Sequence, residues 1–481
     1  RYKIILTYYY IYHNKLIMNN SDYDPIIVKL PQLKDNILNS EPNVIRTVYQ
    51  AQPLFKLGFH HYIHATKDKM EILETNPELR GKKFYLVTNP FEHEIKDYDE
   101  SISIASSKYF KTDKNKPDVL SRAFYKLWEI VMYFDLIPDT MKNMVIINVA
   151  EGPGSFIQSV LNYREKFFDN KSISHDKVYA ITIHGTIPTI PQLSTGMVNY
   201  YTKQKKLQIF KTYPTETSKK SKDQSNGDLT EIKTINLFKK MVLAQDKKYA
   251  DLITADGGLN WYNENYQEQE AYGLILGEII TAISLQAKGG NFVCKFFETF
   301  TTISIKYLCL LQYFYENIYI CKPLMSRPSN SERYVVATKF KYQQTGDLAK
   351  KISVIEKILE NITQKDGLFV NDIFTNFEIP IEFETALINV NSQILNIQHT
   401  NINRIMNYIN GKNYFGDDYH KYRDEQINAS TFWIKTFFPI TKKDIKLSQH
   451  FLSSKVDKNV KDNEEITKTK IDKSNQLIEN Y

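Results

Sequence analysis

Cysteine is scarce in this chain. Its 481 residues contain three, Cys294, Cys309 and Cys321, and no two stand at C-x-x-C spacing. That argues against a disulfide framework and against a cysteine zinc or redox site. It fits a reducing, intracellular compartment. Long apolar runs are also missing. A membrane span needs about 18 apolar residues in succession. The nearest candidate, IILTYYYIY at 4–12, is too short and lacks a small-residue cleavage site. No membrane association is expected. No segment repeats itself, and no His/Cys/carboxylate cluster announces a metal. Charge of one sign is not strongly in excess. Lys and Arg number 62 against 55 Asp and Glu, a net of +7. Such a balance accommodates an anionic partner such as nucleic acid without requiring one.

Hydrophobic residues make up 42% of the chain, enough for an ordinary globular core. The length suits two to four domains, or one large domain with elaborations. Asn, Ile, Lys and Tyr are abundant, as in the AT-rich genomes of many large DNA viruses. The chain opens on Arg1 and its first methionine is Met18, so residues 1–17 read as a candidate upstream stretch.

Residues 1–85 mix short apolar runs with Pro, Asn and charge and read as an N-terminal flank. From 86 to 345 strand and helix signals alternate. Apolar, β-branched runs occur at 144–150, 178–183, 251–255, 291–297, 318–322 and 334–338, with helical periods between them, notably 264–288 and 299–316. This alternation predicts an α/β fold, a doubly wound, mostly parallel sheet with helices on both faces. Ligands of such sheets bind beyond the carboxyl ends of the strands, near a switch in strand order. The polar stretch 212–227 reads as an exposed loop. Residues 346–452 form a helical and mixed C-terminal lobe. Residues 453–481 are poor in apolar side chains and are expected to be frayed or disordered.

A glycine turn, NVAEGPGSF at 148–156, links an apolar strand to a helical stretch. Glycines there permit close approach of backbone to a ligand, and the following helix offers unpaired N–H groups. The turn does not match G-x-G-x-x-G, and the next strand, VYAITIHG, ends without the acidic residue of a dinucleotide site. A nicotinamide enzyme is therefore disfavoured.

Four further segments carry candidate chemistry. Lys126, in SRAFYKL, sits at the margin of a helical stripe formed by Leu120, Ala123, Phe124, Leu127, Ile130, Val131 and Phe134. Its stem can run along the apolar face and reach a cleft, or simply snorkel to water. Asp256 ends the strand in ITADGG, where an Asx turn is the bland alternative. Lys295 is embedded in NFVCKFF between Phe292, Val293, Phe296 and Phe297, a setting in which a lysine needs a partner or a purpose. Glu332 precedes the strand in SERYVVATKF. The topology carries three of these to one rim of the sheet beside the glycine turn, with Lys126 approaching from a neighbouring helix. Two lysines and two carboxylates suit removal of a proton from a weakly acidic hydroxyl. Free lysine titrates near 10.4, and burial with a second ammonium nearby is expected to lower Lys295 toward neutrality. Asp256 and Glu332 would orient the amines. No metal is called for.

These segments resemble the FtsJ-like RNA 2′-O-methyltransferases, and within that family the cap-specific mRNA enzymes of eukaryotes and viruses. The resemblance rests on TADGG at 254–258, GGNFVCKFFETFT at 289–301 and KPLMSRPSNSERYVV at 322–336, and spans about residues 115–342. It implies a Rossmann-like methyltransferase domain and S-adenosylmethionine as cofactor. It also implies a Lys-Asp-Lys-Glu tetrad at Lys126, Asp256, Lys295 and Glu332. The family's glycine turn falls on Gly152, Pro153, Gly154 and Ser155. Its adenosyl-contacting Gly-Asp falls on Gly227 and Asp228, so Asp228 and Asp256 join the cofactor set. The implied substrate is the ribose 2′-oxygen of the first transcribed nucleotide of capped mRNA, with other capping enzymes as possible partners. Ribosomal or other structured RNA is the runner-up, since SRAFYKL resembles the bacterial ribosomal RNA enzymes as much. A non-catalytic RNA-binding subunit is the alternative of another class. Asn148 and Glu151 depart from the pattern, which has an acidic and a small residue there. Trp261, Tyr262 and Tyr266 are candidates for RNA contact or for loop packing.

Overall fold

The computed structural model describes residues 23–479 except 55–58, 81, 83, 96–97, 112, 185–189, 211–224, 259–262, 365–366 and 413–415. The run at 4–12, most of the polar stretch 212–227, Trp261 and Tyr262 therefore lie outside the described residues.

Ten strands are formed in chain order. They are β1 Ile26–Lys29, β2 Val44–Thr47, β3 Val145–Val149, β4 Lys177–Ala180, β5 Leu207–Ile209, β6 Ala250–Ala255, β7 Gln286–Phe296, β8 Tyr315–Lys322, β9 Arg333–Phe340 and β10 Phe369–Ile373. Eight build one sheet in the order β1-β8-β9-β7-β6-β3-β4-β5, and β2 pairs with β10 apart from it. Strands β3 to β7 run parallel; β9 is antiparallel to both β7 and β8, and β1 is antiparallel to β8. The expected doubly wound α/β sheet is thus present, with reversed strands toward one edge.

Alternation along each strand serves two cores. Val145, Ile147 and Val149 of β3 point into one, and Ile146 into the other; Ile253 and Ala255 of β6 are divided from Leu252 in the same way. Strands buried on both faces read as continuous apolar runs, which is why they were legible. Seven helices frame the site or cover the sheet: α1 Ala123–Tyr133, α2 Ser155–Phe167, α3 Tyr272–Leu285, α4 Thr302–Phe314, α5 Ile381–Asn410, α6 Asp417–Phe437 and α7 Lys442–Glu479. Helices α3 and α4 cover one face; α1, α2 and α6 cover the other. Among the described residues no helix is long and apolar enough to cross a membrane.

Three expectations need correction. The stretch 453–481 is not frayed: through Glu479 it continues α7, where Leu452 and Val456 are buried. Its inner face adds polar ties to the apolar ones. Asn389 Nδ2 donates to Thr467 Oγ1 at 2.9 Å and Gln393 Nε2 to Asn463 Oδ1 at 2.6 Å, both from α5. Composition alone cannot register a helix anchored that way. Nor is 1–85 merely a flank, because β1 supplies the sheet's edge strand beside β8. The helical period at 264–288 ends earlier than expected. Helix α3 stops at Leu285 and β7 begins at once with Gln286.

Candidate active site

The strand ends place the four predicted residues. Strand β6 runs parallel to β7 with Ala255 opposite Cys294, so Asp256, the next residue, arrives beside Lys295. Strand β9 is antiparallel to β7, so its start lies at the end of β7, and Glu332 immediately precedes it. Lys295 stands opposite Tyr334 in that pairing and shares a sheet face with Val293. That is the face covered by α1, which carries Lys126.

The outcome is two ion pairs. Lys126 Nζ lies 2.6 Å from Glu332 Oε1. Lys295 Nζ lies 3.2 Å from Asp256 Oδ1 and donates to the Asp256 carbonyl at 2.9 Å. All four side chains are largely buried, between 12% and 15% exposed, which leaves each a narrow opening to the cleft.

Charge and burial compete here. Burial pushes the Lys295 ammonium down, but Asp256 and Glu332 push it up further, and the net direction is above the ordinary lysine value. The expectation of a lowered Lys295 is therefore corrected. The two carboxylates outweigh burial and the second ammonium. For Glu332, burial raises the carboxyl, yet Lys126 and Lys295 together hold it down at about 2.

Several residues around the four were not found from sequence. Tyr334 donates its hydroxyl to Asp256 Oδ1 at 3.0 Å, and Ser326 donates to Glu332 Oε1 at 3.1 Å. Lys322, at the end of β8, is buried and donates to Asn330 O, Asn330 Oδ1 and Glu332 O, each at 2.9 Å. It also donates to Ser326 Oγ at 3.3 Å. Burial, with Arg333, Lys126 and Arg122 nearby, outweighs the pull of Glu332 and lowers Lys322 to about 7. Glu278 of α3 is fully buried and accepts from Cys294 Sγ at 3.3 Å; burial lifts it to about 8. A Cβ on Gly257 would come within 2.2 Å of Glu278 Oε1 and 3.1 Å of Ala150 Cβ, so the glycine lets this strand end pack closely. The signal for Lys322 was available as a lysine closing an apolar strand, the argument that singled out Lys295. Helix α3 offered Glu278 as a carboxylate among isoleucines.

The glycine turn connects β3 to α2. A Cβ on Gly152 would meet the Pro191 carbonyl at 2.2 Å, and one on Gly154 (φ 112°) the Met197 methyl at 2.1 Å. These glycines therefore admit neighbouring protein. Pro153 lies between them, and its carbonyl accepts from Ser194 N at 2.9 Å. The Ser155 hydroxyl is buried and shares a hydrogen bond with Ser121 at 2.7 Å, tying the turn to the segment that leads into α1. Asp228 follows Gly227 (φ 87°), whose Cβ would lie 2.0 Å from the Thr182 carbonyl, so this pair sits at the end of β4. Asp228 Oδ1 accepts from Thr230 N and Thr230 Oγ1 at 2.9 and 2.8 Å. Tyr266 lies apart, half-buried near His64.

Residues 119–340 match the family model of FtsJ-like methyltransferases. The chain carries an FtsJ-like methyltransferase domain. Over 196 residues the chain is 35% identical to cap-specific mRNA (nucleoside-2′-O-)-methyltransferase 1 of Mus musculus, covering 40% of this chain and 21% of that protein. The corresponding methyltransferase 1A of Caenorhabditis briggsae is 27% identical over 286 residues, 58% of this chain and 30% of its own. The chain therefore spans less than a third of either relative. A solved structure of a ribosomal RNA methyltransferase from Plasmodium falciparum aligns over 46% of this chain and 99% of its own, with 18% identity and a TM-score of 0.32. The two named relatives are animal proteins. The matched residues include Lys126, Asp256, Lys295 and Glu332 and both candidate cofactor turns.

S-adenosylmethionine, which the family implies, carries an α-ammonium, a carboxylate and ribose hydroxyls. The rim offers matching groups. The Asp228 carboxylate is half-buried at the end of β4. Glu151, in the glycine turn, is buried with one carboxyl oxygen that has no hydrogen-bond partner among the described residues. These acceptors suit the ammonium and the ribose hydroxyls of that cofactor.

Proposed function

We propose that this chain methylates the ribose 2′-oxygen of the first transcribed nucleotide of capped mRNA, using S-adenosylmethionine. The observation that carries the reading is the pair of buried lysine–carboxylate contacts, Lys126–Glu332 and Lys295–Asp256, at the sheet rim beside the glycine turn. The cap as target is supported by the relatives' names.

The bound cofactor would supply an electrophilic methyl on a positively charged sulfur. The chain's own residues prepare the hydroxyl. Lys295, in its uncharged form, takes the hydroxyl proton. Asp256 and the Asp256 carbonyl fix the direction of its amine, and Tyr334 fixes Asp256. Lys126, paired with Glu332, places a second positive charge near the oxygen as it becomes anionic. Holding the oxygen in line with its target supplies a large share of the acceleration.

The test is incubation with radiolabelled cofactor and short RNAs that differ only in the cap, followed by mapping of the methylated nucleotide. Transfer to the capped RNA at its first nucleotide is expected. Lys295→Ala should lower turnover by roughly a thousandfold or more while cofactor affinity stays within a fewfold, since general base catalysis alone contributes about 10²–10⁴-fold. Near-normal turnover in that variant would refute the base assignment. Methylation of uncapped, structured RNA instead would shift the substrate to the runner-up class.

A further inference from the structure

Glu151, in the glycine turn, has surroundings that give it an unfinished bonding pattern. The residue lies between Ala150 (φ 50°) and Gly152 at the end of β3. Its amide donates to Ile181 O at 3.0 Å, which fixes the backbone against the end of β4. Its Oε1 accepts from Phe156 N at 3.3 Å, in the first turn of α2. Its Oε2 is buried and has no partner among the described residues. Oxygens in that condition are costly unless a ligand completes them.

The helix start after such a turn ordinarily receives an anionic group. Here an internal carboxylate occupies one of its N–H groups and adds an unpaired acceptor to the turn. Its place across the sheet narrows what it can accept. In the order β4-β3-β6-β7, Asp228 lies at the end of β4, Glu151 at β3, Asp256 after β6 and Lys295 on β7. A cofactor with its adenosyl part toward Asp228 and its reacting methyl toward Lys295 has its sulfur beyond β3 and β6. The short amino-acid tail leaves from that sulfur.

Resting on the proposed use of S-adenosylmethionine, we infer that Glu151 Oε2 is the counter-ion for the α-ammonium of the cofactor's amino-acid tail. The four side chains at Lys126, Asp256, Lys295 and Glu332 pair with one another, so neither of those carboxylates is free to receive the ammonium of an incoming tail. Without a ligand, burial and the neighbouring Asp256 carboxylate lift Glu151 to about 8, against the opposing pull of the Phe156 and Gly154 amides and of Lys295. At neutral pH the free protein therefore holds this carboxyl mostly protonated, and docking of an ammonium drives the proton off.

Isothermal calorimetry on the full chain tests this with two probes. One is S-adenosylhomocysteine; the other is its deamino analogue, 4-(adenosylthio)butanoic acid, which differs only in lacking the amine. The wild type should bind S-adenosylhomocysteine at least tenfold more tightly. Glu151→Gln should erase that preference by weakening S-adenosylhomocysteine alone. Titrations in buffers of different ionisation heat at pH 7 should show close to one proton released by the wild type with S-adenosylhomocysteine, and none with the analogue. Equal affinities in the wild type, or equal losses for both ligands in the variant, would overturn the inference and leave Glu151 as a cap for α2. The wild-type comparison stands even if the variant does not fold. Binding of neither ligand to the wild type would instead overturn the cofactor reading beneath it.

Discussion

At Lys295 two opposing effects meet, and their sum sets how the site must operate. Burial favours the neutral amine, while the carboxylates of Asp256 and Glu332 favour the ammonium more strongly, so the group titrates above its ordinary value. The amine that can accept a proton is then a small fraction at neutral pH, and it grows tenfold for each pH unit. With chemistry rate-limiting and the cofactor saturating, kcat/KM for the RNA should rise with a slope near one in log units from about pH 6 to about pH 9. A plateau at or below pH 8 in that profile would mean that the carboxylates do not govern the lysine. Glu278 makes an opposite kind of prediction, about stability. Its folded value of about 8 lies above the ordinary 4.5. Between those values the folded chain holds a proton that the unfolded chain has released. Its stabilising contribution is complete below about pH 4.5 and is lost as pH rises through 8. Glu278→Gln cannot ionise, so it should be more stable than the wild type at pH 9, by about 2 kcal/mol if one buried charge is avoided. The gain should vanish near pH 5, and melting temperatures across that range would show whether it does.

At the scale of elements, the stretch joining β8 to β9 delivers Glu332, and Lys322 holds that stretch together. Its buried ammonium satisfies two carbonyls, an amide oxygen and a hydroxyl between Ser326 and Glu332. Lys322→Met keeps the volume but strands those acceptors. Breaking a buried charged network of this kind costs about 3 kcal/mol or more. The variant should melt well below the wild type, and its remaining folded fraction should show a reduced kcat, because Glu332 loses its Ser326 anchor. An unchanged melting temperature would show that water replaces the lysine. Such elements explain what could be read from the chain. Strands β3, β6, β7 and β9 are apolar on both faces, so their positions, and therefore the rim, followed from composition and spacing. Asp256 and Lys295 followed because the strand ends carry them. Glu278 and Tyr334 did not, since their roles exist only once α3 and β9 are packed against neighbouring strand ends. The direction of the Lys295 shift was misread for the same reason. It depends on the distances to Asp256 and Glu332, which are set by the pairing of β7 with β6 and with β9.

For the whole molecule, the described residues outside the family match are part of one packed body. Strand β1 extends the sheet beyond β8. Helix α6 places Trp433, whose indole N–H donates to Glu129 Oε1 of α1 at 2.7 Å. Glu129 also accepts from Leu324 N at 2.7 Å and Met325 N at 2.9 Å, at the start of the stretch that carries Glu332. The same network thus links α6, the Lys126 helix and the Glu332 segment. Helix α7 closes over this arrangement and buries Leu452 and Val456. Removing residues 441–481 would take both side chains out of the core, uncover the apolar surface they pack against, and strand Asn389 and Gln393 of α5. Full burial of an aliphatic side chain is worth about 1.5–3 kcal/mol, so the loss should be at least about 3 kcal/mol from a total of the order of 5–15 kcal/mol. A chain ending at residue 440 should therefore melt at a markedly lower temperature, or aggregate, and should lose methyl transfer in proportion to its folded fraction. A dispensable polar tail would leave the melting curve where it was. Thermal unfolding of the shortened and full chains side by side distinguishes a helix that completes the fold from one that merely follows it.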